Sequence, residues 1–283
     1  MKLYTILPAY NEEQFLSQTL DSILNQTKVP DKIVIVDDNS TDKTSEIAKK
    51  YAEKYPFIKY YRHTSEALHL PGSKVIRAFQ YGLSKVDDSY DLIGKIDADL
   101  IFPVTYFEEI EKAFASNPQL GLAGGFAYIE KDQQWVKERL TDDDHVRGAF
   151  KVYSKKCFRQ IGGVKAAMGW DTVDELLAKY YGWEVKTLSN LHVKHLKPTG
   201  ASYNKTVRYK QGEAFYALGY GLLLTTIAGM KLAIRKKRPL LFVDYAIGYI
   251  NAPKKGVKKL VNKEQEHFVR KYRWRKILKK VFL

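Results

Sequence analysis

Short apolar runs rich in β-branched and aromatic residues alternate, along the first hundred positions, with polar turns and stretches of helical spacing. "KLYTIL" stops at Pro8 and reads as a strand ended by a breaker. In "NEEQFLSQTLDSILNQ", Phe15, Leu16, Leu20, Ile23 and Leu24 recur as on one face of a helix. "DKIVIVDDNSTD" carries a short strand over 33–36, and "STDKTSEIAKKYAEKY" opens on capping residues and continues as an amphipathic helix. "IKYYRH" is a third strand, "GSKVIRAFQYGLSKV" a third helix and "YDLIGKIDAD" a fourth strand. This alternation predicts an α/β fold with a mostly parallel sheet flanked by helices. In such sheets ligands bind beyond the carboxyl ends of the strands. Further on, the pattern predicts a helix over 106–115, a glycine-rich strand in "GLAGGFAYI", and a strand and helix in "VRGAFKVYSKKCFRQIGG". "MGWDTVDELLAKYYGWEVKTL" reads as a helix leading into a strand. No internal repeat or low-complexity segment interrupts the series.

Charge divides the chain where periodicity does not. Of 47 Lys/Arg and 32 Asp/Glu, 20 and 4 fall from Ser202 onward, so the back carries +16 and the first 201 residues −1. Two parts are expected: a neutral one over 1–200 and a basic, apolar helical extension over 201–283. An anionic surface is the natural partner of the extension. The single cysteine, Cys157, excludes a disulfide framework, and the apolar run after Met1 is too short for a secretory leader.

Acidic residues collect at three strand ends: "PAYNEE" after the first strand, "VDDNSTD" after the second and "DAD" after the fourth. All three then lie on one rim of the sheet. A single such cluster is ordinary helix capping. In "KIDADLI", Asp97 and Asp99 are two residues apart, on one face if the strand continues. Two carboxylates so close repel unless a cation sits between them or one protonates. A hard divalent ion, Mg²⁺ or Mn²⁺, resolves that repulsion. The rim fits a nucleotide pocket, with an acid accepting from a base or ribose hydroxyl and a metal holding the diphosphate. No "GxxxxGK[ST]" or "GxGxxG" occurs, which removes P-loop and dinucleotide-binding readings. "PAYNEE" also stands where a sugar nucleotidyltransferase would need a glycine-rich loop.

In order, "ILPAYNEE", "IVIVDDNSTDKT", "PGSKVIRAFQYGL" and "KIDADL" resemble the motifs of glycosyltransferase family 2, over roughly residues 1–200. The resemblance implies a GT-A fold and transfer of a sugar, with inversion, from a nucleotide-diphosphate donor, UDP by default. It implies that Pro8, Ala9, Tyr10 and Glu12 line the base and ribose, that Asp38 accepts from the base with Ser40 nearby, and that Lys74 sits near the nucleotide. Asp97 would meet the ribose or donor sugar and Asp99 would ligate the metal. Inversion by direct displacement needs one general base. Where family members carry Glu-Asp, this chain has Trp170-Asp171 and then Asp174-Glu175, so Asp171 is the first candidate and Asp174 the second. "HLKPTG" resembles a late segment that brings a histidine to the metal or diphosphate, and His195 is preferred there over His192.

The extension holds two apolar runs, "AFYALGYGLLLTTIAGM" and "PLLFVDYAIGYINAP", fenced by "RKKR" and "KKGVKK", and ends in "RKYRWRKILKK". It could form a membrane-spanning hairpin, lie along an anionic leaflet or pack on the catalytic part. The preferred expectation is a protein peripheral on the cytoplasmic face of the membrane, acting on a saccharide or lipid-linked saccharide. Basic clusters with aromatics also bind RNA, but apolar runs between them make poor nucleic-acid surface. The rival reading is a non-catalytic sugar-nucleotide binder with a nucleic-acid-binding tail.

Overall fold

The computed structural model describes residues 1–64, 72–138, 142–197 and 209–281. The expected alternation forms as β1 (Leu3–Ala9), α1 (Leu16–Leu24), β2 (Lys32–Asp37), α2 (Thr44–Lys54), β3 (Ile58–Arg62), α3 (Ser73–Leu83) and β4 (Leu92–Ile96). These four strands pair in parallel in the order β3-β2-β1-β4. Successive side chains of β1 go to opposite faces, so Leu3 and Leu7 join a core with α1 while Tyr4 and Ile6 join one with α3. Both faces are covered, which is why β1 and β4 are buried along their whole length.

Beyond β4 the sheet becomes mixed. The two-residue β5 (Leu100–Ile101), α4 (Tyr106–Ser116), β6 (Leu120–Lys131), β7 (Gln134–Lys137) and β8 (Phe150–Ser154) follow in the chain. Then come α5 (Lys155–Gln160), α6 (Trp170–Tyr180) and β9 (Glu184–His195). The spatial order continues β4-β8-β6-β9-β5, with β7 on β6. β8 runs antiparallel to β4, and β5 antiparallel to β9. β5 and β7 are too short to carry a periodic signal and were not anticipated. The register of β5 decides the site: Leu100 lies opposite His195, so the segment just after "DAD" is tied to the end of β9.

The proposed boundary at 200/201 lies outside the described residues. The extension forms α7 (Lys210–Ala217), α8 (Gly221–Arg235), α9 (Leu241–Asn251) and α10 (Lys263–Val281). Phe215, Tyr220, Leu224, Val261 and Val269 share a buried cluster with Trp170 and Leu176 of α6. Helices α7 and α9 meet at glycines: a Cβ on Gly212 would strike the Tyr245 carbonyl, and one on Gly248 the Tyr209 carbonyl. The opposite side of α8 and α9 is bare, with Leu223 63%, Ile234 70%, Leu240 78% and Ile250 56% exposed. Among the described residues no helix is long and apolar enough to cross a membrane, α8 having 15 residues and α9 11. The spanning-hairpin expectation therefore finds no support.

Candidate active site

The loops after β1 and β2 are clasped together. Asn11 and Asn39 both adopt left-handed backbone, at φ 53° and 65°, which Asn tolerates better than most residues. Asn11 N–H donates to Ser40 Oγ at 3.0 Å, and Thr41 N–H donates to Asn11 Oδ1 at 2.9 Å. Asp38 N–H donates to the Ala9 carbonyl at 2.8 Å, and Ser40 N–H to Asp37 Oδ1 at 2.8 Å. Ser40 is buried in this clasp and Pro8 and Ala9 are buried in β1, whereas Tyr10 stands 56% exposed over the loop. Asp38 is buried at the end of β2. Lys74 lies half-buried in the first turn of α3, whose N-cap Gly72 backs onto Ala167 and Trp170.

At the end of β4 the two acids part company. Asp97 N–H donates to the Ala149 carbonyl at 2.7 Å, and its carboxylate pairs with Lys95 of the same strand. Asp99 instead meets His195, Oδ2 to Nε2 at 3.3 Å. His192, the other candidate, is exposed and stacks on Tyr128. Burial pulls the His195 imidazole down in pKa, but its contact with Asp99 reverses this and holds it above its ordinary value. Burial and the nearby Asp99 charge lift the Asp97 carboxyl despite Lys95. Glu12 faces the same pair. Burial, with the Asp99 and Asp97 charges, raises it to about 7 even though Lys197 donates to it at 2.6 Å. Glu12, Asp97, Asp99 and His195 thus come from three strand ends to one stretch of the rim, Asp99 and His195 in contact and the other two near enough to feel the Asp99 charge.

Each acid there already has a basic neighbour, Lys197 for Glu12, Lys95 for Asp97 and His195 for Asp99, and a cation would take the place of the His195 proton. Among the described residues no three His, Cys, Asp or Glu side chains are already gathered as a metal cage. Asp99 and His195 supply a carboxylate and an imidazole, and Asp97 stands next to them. One or two carboxylates completed by substrate phosphates is the usual way Mg²⁺ is held, and this donor set also suits Mn²⁺. The residues fit the ion.

The two base candidates differ sharply. Asp171 lies in the first turn of α6, whose N-cap is Gly169, so Asp171 is no cap. Its side chain is 36% exposed and lies 3.6 Å from His145 Nε2. Burial would raise its pKa, yet the hydrogen bond and charge of His145 bring it well below the usual carboxylate range. Asp174 is 0% exposed, receives Lys151 Nζ at 2.9 and 3.0 Å and accepts from the Tyr153 hydroxyl at 2.5 Å. Enclosed in this way it has no face for an acceptor hydroxyl, so the expectation that it is an alternative base gives way to a structural ion pair. His145 Nδ1 lies 3.1 Å from Glu175 Oε1. Burial lowers the imidazole, but Asp171 and Glu175 outweigh it and lift it to about 9. Trp170, beside Asp171, has two buried ammonium groups near its ring, Lys95 Nζ at 5.3 Å and Lys151 Nζ at 5.7 Å from the centroid.

Lys95 and Lys151, opposite each other on β4 and β8, escaped sequence reasoning, as did His145, Glu175 and Lys197. A lysine inside an apolar strand was the available sign for two of them, in "LIGKI" and "FKVYS", since fully buried lysines are nearly always paired.

The curled, mostly parallel sheet and its flanking helices are a GT-A fold. The chain belongs to glycosyl transferase family 2, whose model matches residues 4–165. It is similar to the dolichol-phosphate mannosyltransferase of Pyrococcus furiosus, 31% identical over 136 residues, 48% of this chain and 36% of that protein. It is also similar to the minor teichoic acid biosynthesis protein GgaA of Bacillus subtilis, 26% identical over 121 residues, 42% of this chain and 26% of that protein. The matched region is thus about a third or less of these relatives' length. Among solved structures it resembles mannosyltransferase PcManGT from Pyrobaculum calidifontis in complex with GDP-Man and Mn²⁺, with TM-score 0.56, 16% identity and coverage of 89% of this chain and 71% of that one. S. aureus TarS 1-349 in complex with UDP-GlcNAc aligns with TM-score 0.58, 15% identity and coverage of 90% and 73%. These structural likenesses carry the fold.

Proposed function

We propose that the chain is an inverting, divalent-metal-dependent glycosyltransferase that moves a sugar from a nucleotide-diphosphate donor, preferably a UDP-sugar, to a hydroxyl of a glycan or lipid-linked saccharide. The observation that carries this reading is the contact of Asp99 with His195 at the rim, with Asp97 and Glu12 near enough to feel the Asp99 charge. In the proposal Asp38 accepts from the base, while Pro8, Ala9, Tyr10 and Glu12 line base and ribose. Ser40 keeps the two loops in register beneath them. Lys74 and Asp97 approach the nucleotide and donor sugar. Asp99 and His195 hold Mn²⁺ or Mg²⁺, which when bound offsets the charge gathering on the departing diphosphate. Asp171 takes the acceptor proton. Its depressed pKa makes it a weak base, so proton transfer accompanies cleavage of the glycosidic bond rather than preceding it. The cation-fenced apolar side of α8 and α9 rests on an anionic membrane, which fits a cytoplasmic, membrane-peripheral enzyme.

Thermal shift with nucleoside diphosphates, with and without Mn²⁺, tests the donor site. UDP with Mn²⁺ is expected to stabilise the protein, and Asp99→Asn to abolish both that metal-dependent gain and transfer. Full activity of Asp99→Asn, or of the native protein in excess chelator, would end the metal-dependent reading. Inversion is checked by the anomeric configuration of the first product by NMR.

A further inference from the structure

The segment before β8 is moulded onto the start of α6. Val146 N–H donates to Glu175 Oε1 at 2.9 Å. A Cβ on Gly148 would lie 2.7 Å from the Trp170 ring and 3.0 Å from Asp171 Cβ, so the absence of a side chain there is what lets the segment lie so close. This fit fixes where His145 stands. Its Nδ1 lies 3.1 Å from Glu175 Oε1 and its Nε2 3.6 Å from Asp171 Oδ2. The two acids are four residues apart, on one face of the helix, and a single imidazole links them.

The two ends of that link are not equivalent. Glu175 is buried, and its Oε1 receives Val146 N–H and also faces Lys151 Nζ at 3.2 Å, so it is held from β8 as well as from the segment. The Asp171 side chain is partly exposed, and among the described residues His145 is its ion-pair partner. Lys151 donates to Asp171 as well, but to the main-chain carbonyl, which fixes the backbone and leaves the carboxylate to His145. The other charges packed around this point are engaged elsewhere. Lys231 and Arg235 of α8 lie 3.5 and 3.7 Å from Asp142, and Lys276 of α10 lies 2.5 Å from Asp144. Arg147 pairs with Glu138 at 2.8 Å, Lys179 lies 4.0 Å from Glu175, and Arg273 hydrogen-bonds Tyr220. Burial raises the Asp171 carboxyl, and the His145 contact, with the Lys151 and Arg147 charges, more than reverses this.

We infer that His145, itself oriented by Glu175, is the positioning residue of the base: it holds the Asp171 carboxylate ionised and in one place, and acts on the reaction through it alone. The inference rests on the transferase reading, in which Asp171 takes the acceptor proton, and names the group that prepares it. A carboxylate at a helix start with one side open to solvent needs such a support, because a shift of about 1 Å in a reacting group can cost about 10²-fold in rate.

A double-mutant cycle on the full chain tests the inference. The assay is release of nucleoside diphosphate from UDP-GlcNAc, UDP-glucose and GDP-mannose with Mn²⁺, water serving as acceptor, well below the melting temperature of each variant. His145→Gln, which keeps a polar side chain without the charge, should lower kcat about 10- to 10²-fold and leave the donor KM unchanged. In an Asp171→Asn background the same substitution should cost nothing further, since a residue acting through Asp171 has nothing left to act on. A histidine that only braces the fold would instead lower both backgrounds by the same factor. The second readout is carboxyl ¹³C NMR of aspartate-labelled protein. The Asp171 signal, identified by its loss in Asp171→Asn, should titrate at higher pH in His145→Gln than in the wild type. Equal losses in both backgrounds, wild-type kcat in His145→Gln, or an unmoved Asp171 titration would overturn the inference, while lost turnover in Asp171→Asn would keep the transferase reading standing. No release from any donor by the wild-type protein would overturn the transferase reading and the positioning role with it, leaving a moved Asp171 titration to mark an ion contact alone.

Discussion

Asp171 and Asp174 are one helical turn apart on α6 and differ almost entirely in what surrounds them. Asp174 is closed in by Lys151 and Tyr153, while Asp171 keeps solvent contact and a single histidine neighbour. Asp171→Asn is expected to reduce turnover by about 10²–10⁴-fold, the usual cost of losing a general base, with UDP binding unchanged. Asp174→Asn should act on stability instead. It leaves Lys151 buried without its main counter-charge, and breaking such a pair costs about 3–5 kcal/mol. Chemical denaturation alongside steady-state kinetics separates the two effects; lost turnover at unchanged stability in Asp174→Asn would return Asp174 to the base role. Sequence alone could not choose between these acids. Both fall in "GWDTVDEL" at helical spacing, and only the partners brought by β8 and by the segment at His145 distinguish them. Motif and order singled out Asp99 and His195 separately, but the contact between them depends on the two-residue β5, which no pattern reveals.

At the level of elements, α6 is fastened to the sheet through ionised groups, and this makes its docking pH-dependent. His145 is faced by Asp171 and Glu175 from α6 and by Lys151 from β8. Its folded pKa of about 9 lies above the ordinary histidine value of 6.5. The stabilisation is therefore complete below the lower value and lost as pH rises through the higher one, by about 3 kcal/mol in all. Glu175, whose pKa falls to about 2 as Lys151 and His145 outweigh its burial, works in the opposite sense and loses its contribution only under strong acid. The melting temperature should drop between pH about 6 and about 10, and His145→Gln should lower it at the acid end and flatten the slope. A wild-type melting temperature constant across that range would refute the coupling. The helix–helix seam of the extension makes a separate prediction. Gly212→Ala has no room against the Tyr245 carbonyl, so α7 and α9 must part, and a loss of about 1–3 kcal/mol in a denaturant melt is expected. The helices and the four parallel strands were legible because their periodicity extends over whole elements. The antiparallel insertion of β8 was not, because pairing direction is set by tertiary contacts rather than by side-chain period.

Across the whole molecule, the extension is both structural and exposed. One side of its helices shares a buried cluster with α6, so deleting the extension would bare that core, and point variants on the outer side are the cleaner probe. Leu223, Ile234 and Leu240 are 63%, 70% and 78% exposed, and removing their side chains costs the free protein little packing. On a membrane each would be worth up to about 1.5–3 kcal/mol if fully buried, and each flanking Lys or Arg adds about 1 kcal/mol near an anionic leaflet. Salt suppresses the second contribution and not the first, because the screening length shortens to about 3 Å at 1 M. Co-sedimentation with vesicles is therefore expected to rise with anionic lipid content and to fall only partly at high salt. The triple variant Leu223→Ser, Ile234→Ser, Leu240→Ser should keep its melting temperature and UDP binding, retain low-salt binding and lose the salt-resistant fraction. Unchanged high-salt sedimentation of that variant would move the contact away from α8 and α9. Complete release of the wild-type protein at moderate salt would leave a purely electrostatic surface, and with it the nucleic-acid alternative, which co-purifying RNA removable by the same salt would then support.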